Sequence, residues 1–210
     1  MIKRIFDLGT SFILLSVLMP MHVFIAMLIY FMMGRPIFFT QLRPGYKGKP
    51  FYIYKFRTMK DADWDYESSA DDEKRLTGLG RFLRKYSLDE LPQLYNVIKG
   101  DLSFVGPRPL LMRYLERYSA EQARRMEVKP GITGWAQING RNALSWEDKF
   151  ALDVWYVDHQ NFWLDLKIIA LTLGKVFRAE GLSGEGSSTM NEFMGSSGTV
   201  DNGLLKNDEI

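Results

Sequence analysis

The sequence predicts an α+β protein, mostly helical, with a re-entrant N-terminal membrane helix, one small β-hairpin and amphipathic interfacial helices around a single site. Three observations carry this. Lys3 and Arg4 precede an apolar run over residues 12–33 that closes at Gly34-Arg35, a length suited to a membrane helix of about 20 residues. Two short runs rich in aromatic and β-branched residues, 36–41 and 51–56, enclose a turn of Gly, Pro and Lys, the signature of a hairpin. Beyond residue 75, apolar side chains recur at helical spacing with Lys and Arg on the opposite face. The implied organisation is a membrane element over 1–35, a main domain on the cytoplasmic face over 36–182, and a Gly/Ser-rich tail over 183–210.

Composition narrows the chemistry. A chain of 210 residues is one domain by default and can bury a sizeable core. Its formal net charge is only +2, so no segment is committed electrostatically to nucleic acid. Without cysteine there are no disulfides and no thiolate metal sites. His22 and His159 are the two imidazoles, and their spacing matches no zinc motif. A metal here is therefore a hard ion held by carboxylates and phosphates, Mg²⁺ first. Five Trp, ten Tyr and fourteen Phe suit a protein resting at a lipid interface.

Within the apolar run, Pro20 cannot donate to the Ser16 carbonyl, so the helix kinks or breaks near its midpoint. Ser16 offers a hydroxyl four residues before the proline that could satisfy the freed carbonyl. His22 is a polar group that a lipid-facing position rejects. A signal peptide would need a small-residue cleavage site, and none follows the run. Both flanks are basic, which puts both ends on the cytoplasmic side. A kinked span and a re-entrant helix–break–helix both fit the length, and flank symmetry favours the second.

After the hairpin, residues 60–75 are acidic and aperiodic, a surface loop. Leu76, Leu79, Leu83 and Tyr86 mark one face of a helix whose other side carries Arg81, Arg84 and Lys85. A second helix carries Leu91, Leu94, Tyr95 and Ile98 inward and stops at Gly100. Residues 110–126 read as helical and cationic. The stretch 129–141 is punctuated by Gly131, Gly134 and Gly140; it is neither a Walker loop nor a dinucleotide fingerprint. Its glycines would let backbone amides approach a phosphate, and Arg141 adds charge. Residues 146–156 and 163–177 form amphipathic helices, the latter either core-facing or lying along a bilayer surface. Past Gly181, Gly, Ser, Asn and Asp predict a loosely held tail.

These elements converge on Ser87-Leu88-Asp89-Glu90-Leu91-Pro92-Gln93. Pro92 lacks an N–H and is tolerated in a first helical turn, which makes Asp89 the expected N-cap, ionised at the positive end of the helix. A Ser87…Glu90 capping box is the competing local reading. An isolated Asp-Glu pair is most simply an acidic cap, but cationic stretches elsewhere change that. Lys55 and Arg57 close the second hairpin strand. Arg108, between Pro107 and Pro109, has little backbone freedom, which preorganises its guanidinium for an anion.

In this order, the proline-broken N-terminal segment, Gln41-x-Arg43-x-Gly45, Lys55-Phe56-Arg57-Thr58-Met59, Ser87-Leu88-Asp89-Glu90-Leu91-Pro92-Gln93, Gly106-Pro107-Arg108-Pro109 and Pro130-Gly131-Ile132-Thr133-Gly134 through Arg141 resemble the bacterial sugar transferase family, in particular its small monotopic phosphoglycosyl transferases of the PglC type. The resemblance covers residues 1–195 and departs at the break, where the family's Ser-Pro is Met19-Pro20. It implies transfer of a phospho-sugar from a UDP-sugar to undecaprenyl phosphate, with release of UMP, as the first membrane step of glycoconjugate assembly. It further implies that Asp89 is the nucleophile, that Mg²⁺ binds beside Asp89 and Glu90, and that the protein is monotopic in the bacterial inner membrane. Glu90 is left as metal ligand, base or positioning group. Lys55, Arg57, Arg84, Pro107, Arg108, Gly131, Thr133, Gly134, Gln137 and Arg141 are the candidate substrate-binding residues. The sugar stays open between an N-acetylated amino sugar such as diacetylbacillosamine, galactose and glucose, and a homodimer is a reasonable assembly. A non-catalytic membrane adaptor is the alternative function.

Overall fold

The computed structural model describes residues 2–60, 75–140, 144–178 and 192–195. It is a mostly helical α+β fold. The chain opens with α1 (Ile2–Val17) and α2 (Met19–Met33), bent by 60° at their junction. No single helix among the described residues is long and apolar enough to cross a membrane, but this bent pair is, by length and composition. Pro20 sits in the first turn of α2, where its missing N–H costs least. Ser16 does not bridge the break as expected, because its Oγ donates to Phe12 O at 2.9 Å. Just past the break, His22 turns inward to the backbone: its N–H and its Nδ1 both meet Leu18 O, at 2.9 and 2.8 Å.

The two helices are apolar outward. Phe12, Ile13, Val17, Phe24 and Phe31 are exposed, and the buried residues of α1 are Asp7 and Ser11. Lys3 and Arg4, read from the sequence as flanking membrane charges, are spent inside the protein. Lys3 Nζ reaches Asp165 Oδ2 at 2.5 Å and Val105 O at 3.0 Å. Arg4 donates to Val97 O at 2.6 Å and Ile98 O at 2.9 Å, capping carbonyls at the end of a later helix. At the far end of the pair, Arg57 donates to Met33 O at 3.1 Å and Pro36 O at 3.3 Å. Both ends are thus tied to the same body.

The hairpin forms as the sequence predicts. β1 (Phe38–Pro44) pairs antiparallel with β2 (Pro50–Phe56), Phe38 opposite Phe56 and Pro44 opposite Pro50. Alternation buries Phe51 and Ile53 on one face, and Phe56, on the other, packs against Ile25, Ile29 and Leu83. α3 (Gly78–Lys85) starts at Thr77, whose hydroxyl accepts from Gly80 N–H at 2.9 Å, and buries Leu83 against Ile25, Ile29 and Phe56. Gly80 is required by packing: a Cβ there would lie 1.9 Å from Thr58 O.

α4 (Gln93–Lys99) ends at Gly100 in the left-handed region, φ +90°, as expected. Its inward face is Gln93, Leu94, Asn96 and Val97, however, and Tyr95 is half-exposed. The buried Asn96 stitches the helix to β2, donating to Tyr52 O at 2.7 Å and accepting from Tyr54 N–H at 3.1 Å.

β3 (Ser103–Val105) pairs parallel with β4 (Gly131–Thr133). The cationic stretch expected to be one helix is broken into a 3₁₀ turn (Met112–Arg117), α5 (Ala120–Ala123) and a second 3₁₀ turn (Arg124–Met126). α6 (Trp135–Ile138), α7 (Trp146–His159) and α8 (Phe162–Phe177) complete the body. α8 buries Ile168 and Asp165 and exposes Trp163, Leu171 and Leu173. Of the tail, Glu192–Gly195 are described, and Phe193 is buried among Leu110, Tyr114 and Phe150.

Candidate active site

Asp89 and Glu90 lie in a 3₁₀ turn (Leu88–Glu90) between α3 and α4. Asp89 is not the helix cap that Pro92 implied: Pro92 itself occupies that position, with no side-chain cap bond. Nor does a Ser87 capping box form. Ser87 adopts the left-handed region, φ +54°, a conformation costing a non-glycine residue about 1–3 kcal/mol and concentrated at functional sites. The turn swings both carboxylates toward the end of β2 and the Pro107-Arg108-Pro109 segment.

There the two carboxylates part company. Glu90 Oε1 receives Lys55 Nζ and an Arg108 Nη, each at 2.7 Å. Burial alone would raise the Glu90 carboxyl, but Arg108 and Lys55 together hold it well below the usual carboxylate range. Lys55 Nζ lies 3.9 Å from Asp89 Oδ2, beyond hydrogen-bond length. Burial pushes the Asp89 carboxyl up, the Glu90 charge adds to that, and Lys55 and Arg84 oppose it. One acid is therefore locked as a neutralised anion and its neighbour is a buried, under-compensated one.

The supports of this arrangement come from several elements. Arg84, on α3, donates from Nε to Thr58 Oγ1 at 3.1 Å while its charge acts on Asp89. Arg125 lies under Arg108, donating to its carbonyl at 2.8 Å and to Asp153 Oδ2 at 2.6 Å. Pro107 O accepts Gly131 N–H at 3.1 Å, which fixes the arginine-bearing segment to β4. A cavity of about 80 Å³ opens beside the dyad, its polar wall formed by Arg43, Lys55, Gln93 and Arg108, with Gly131 backbone in the lining.

Other predicted site residues lie elsewhere. Arg57 is buried and serves the carbonyls of Met59, Pro36 and Met33. Thr133 Oγ1 meets Thr172 Oγ1 at 2.7 Å, and Gln137 Nε2 donates to Ile132 O at 3.3 Å. The glycines of this stretch serve close packing: a Cβ on Gly131 would lie 2.1 Å from Gly106 N, and one on Gly134 would lie 2.2 Å from Gly106 O. Arg141 is outside the described residues.

No group of three or more His, Asp or Glu side chains converges among the described residues. The adjacent carboxylates nevertheless fit Mg²⁺, which takes one or two protein carboxylates and completes its shell with water and substrate phosphates. The under-compensated Asp89 is a group that a divalent cation would relieve.

Sequence reasoning missed three participants: Gln93, Arg43 and the buried Arg125–Asp153 pair. An aspartate between Leu152 and Val154 in an amphipathic helix was the available sign of the last.

Comparison with known proteins agrees with this geometry. The family model described as bacterial sugar transferase matches residues 1–179. The uncharacterized sugar transferase EpsL of Bacillus subtilis (strain 168) is 56% identical over 195 residues, covering 93% of this chain and 96% of that protein. The undecaprenyl-phosphate galactose phosphotransferase of Salmonella typhimurium is 36% identical over 197 residues, 86% of this chain and 41% of that protein. The UDP-glucose:undecaprenyl-phosphate glucose-1-phosphate transferase of Escherichia coli (strain K12) is 37% identical over 187 residues, 84% and 40%. The chain thus spans nearly all of EpsL and about two fifths of the two enterobacterial enzymes. With a carboxylate dyad, its paired cations and these relatives in view, the chain belongs to the bacterial sugar transferase family and is a phosphoglycosyl transferase.

Proposed function

We propose that this protein moves a sugar phosphate from a UDP-sugar to undecaprenyl phosphate and releases UMP, through a covalent intermediate on Asp89. The observation that carries the reading is the division of labour within the dyad. Glu90 absorbs Lys55 and Arg108, which leaves Asp89 without a direct hydrogen bond from either, Lys55 Nζ standing 3.9 Å from its Oδ2. A carboxylate attacking a diphosphate must overcome like-charge repulsion, and preorganised guanidinium and ammonium groups supply that relief. Asp89 Oδ bonds to the sugar-bearing phosphorus as the bond to the bridging oxygen breaks and UMP departs with it. A lipid phosphate oxygen then attacks the same phosphorus, and the carboxylate is returned. Asp89 and Glu90 would hold Mg²⁺ together with diphosphate oxygens, where it supplies further charge neutralisation. Covalent capture means the two anionic substrates never share the site.

The lipid substrate accounts for the N-terminal pair. We assign it as a re-entrant element of a monotopic protein of the PglC type, at the bacterial inner membrane with the body on the cytoplasmic face. Outward-facing apolar side chains, the 60° bend and the tethering of both ends to one body support this. Single cysteines at residues 2 and 47 should then label from the same side; labelling from opposite sides refutes it.

The relatives' names give galactose and glucose, so UDP-galactose and UDP-glucose lead the substrate panel, ahead of N-acetylated amino sugars such as UDP-diacetylbacillosamine. The deciding experiment incubates the protein with each UDP-sugar, Mg²⁺ and undecaprenyl phosphate, and follows UMP. Mass spectrometry of enzyme trapped without lipid should find the phosphosugar on Asp89. Release of free sugar, silence with every donor, or an adduct on another side chain overturns the proposal.

A further inference from the structure

The cavity beside the dyad contains two groups that the Asp89 chemistry leaves unexplained. Gln93 is 2% exposed, and its Nε2 has no hydrogen-bond partner, an unfavourable state until an acceptor arrives. Arg43 donates to Gln41 Oε1 at 2.5 Å, and among the described residues no carboxylate pairs with it. Burial, reinforced by repulsion from Arg108, pushes its guanidinium down to about 10, still charged at neutral pH. With Lys55 and Arg108, which share the single Glu90 carboxylate, the cavity offers N–H donors and the positive charge of Arg43. A neutral carbonyl ligand would leave the Arg43 charge unanswered, whereas a phosphate is acceptor-rich, anionic and matched to a guanidinium fork. At about 80 Å³ the space holds several waters or one phosphate group.

We infer that this cavity seats the phosphate that is not bonded to Asp89: the UMP phosphate as it departs, then the lipid phosphate as it attacks. The inference rests on the transferase reading, and phosphorus chemistry supplies the step. Displacement at phosphorus runs in line, with entering and leaving oxygens on opposite sides. Asp89 enters in the first half-reaction and leaves in the second, always from its own side. The bridging oxygen of UMP leaves by the opposite side, and the lipid phosphate oxygen must arrive there. One donor-lined cavity next to the dyad therefore serves both phosphates in turn, with Arg43 and Gln93 as binding residues common to the two substrates.

The test uses the full-length protein in phospholipid nanodiscs, as wild type, Arg43→Gln, Arg43→Lys and Gln93→Leu. Three readouts are taken: inhibition by UMP, KM for undecaprenyl phosphate at saturating UDP-sugar, and thermal stabilisation by UMP or inorganic phosphate. Arg43→Gln and Gln93→Leu should each weaken UMP inhibition and raise the lipid KM in parallel, by about tenfold or more, the loss of one hydrogen bond to a charged group. Arg43→Lys should recover part of both, which a loss of packing would not reproduce. A variant that folds normally and shifts neither quantity, or only one, overturns the shared seat. Failure of wild type to release UMP from any UDP-sugar strikes the transferase reading instead, because ligand-induced stabilisation reports the cavity without turnover.

Discussion

Asp153→Asn is the substitution whose consequence follows most directly from the coordinates. Arg125 and Asp153 have side chains 3% and 1% exposed, joined at 2.6 Å. Arg125 Nε adds a second bond to the same oxygen at 3.1 Å, and its Nη1 meets Tyr118 OH at 3.2 Å. The amide would keep the shape and remove the charge, stranding a guanidinium away from water. Breaking a buried pair by neutralising one partner costs about 3–5 kcal/mol, against a total stability of about 5–15 kcal/mol for a domain. Denaturant unfolding in detergent micelles should show that loss as a large drop in midpoint. Replacing both partners, Arg125→Met with Asp153→Leu, should recover most of it, since burying the pair is itself costly. Activity should not follow, because the double variant also loses the 2.8 Å bond from Arg125 to the Arg108 carbonyl. One such bond is worth about 0.5–1.5 kcal/mol, a two- to tenfold fall in UMP release when it aims Arg108 at Glu90. An Asp153→Asn protein within 1 kcal/mol of wild type, or a fully active double variant, refutes the reasoning.

Asp89→Asn should abolish UMP release while melting no lower than wild type at pH 7, read by a thermal scan alongside the turnover assay. The sign follows from burial: a carboxyl raised in the folded state is destabilising once ionised, so its removal relieves the fold at neutral pH. Glu90 has the opposite sign. Held down by Arg108 and Lys55, it contributes stability that is fully present above its unfolded value of about 4.3 and is lost as pH falls toward the folded one. Glu90→Gln should accordingly flatten the acid side of the stability curve, and it should move the acid limb of any residual activity to lower pH by removing a like charge beside Asp89. Gly80→Ala should cost about 1–3 kcal/mol as overpacking and impair turnover, because the new methyl meets Thr58 O at 1.9 Å and Thr58 holds Arg84; an unchanged melting temperature would count against that packing.

What was legible in the sequence was whatever periodicity and chain punctuation encode. The hairpin, the helix ending at Gly100, the break at Pro20 and the paired helices at the C-terminal side all follow from local pattern. Lys55, Arg108 and the dyad also come together as their shared resemblance to one family implied. What failed was assignment of purpose to residues whose partners are remote in sequence. Arg57 looked like a phosphate ligand because it stands two residues from Lys55, yet it lies just past the end of β2, is buried, and serves the carbonyls of Met33, Pro36 and Met59 instead. The glycines of 129–141 looked like a phosphate cradle. Their actual demand is the close approach of β3 and β4, a parallel contact between segments 28 positions apart in register, which no local signal announces. Gln93 read as a helix-start residue, and only burial with an unpaired amide marks it as a ligand group.

At the N-terminal pair the structure gives the basic residues a different task from the one their place in the sequence suggests. By charge bias, the basic flanks put both ends of the pair on the cytoplasmic side. Lys3 and Arg4 are not available for that, since Asp165 and the carbonyls of Val105, Val97 and Ile98 hold them. Their positions still argue for a returning segment, through geometry rather than field. A helix of about 32 residues run straight would place its ends about 48 Å apart at 1.5 Å per residue, more than a hydrocarbon core of about 30 Å. The 60° bend, with Arg4 fastening one end to α4 and Arg57 fastening the other at Met33, keeps both ends on the body that carries Asp89. Pulling either end away from the body would strand buried charges and their carbonyl partners, so the internal pairing of these cations, not attraction to lipid, is what fixes the pair against the fold.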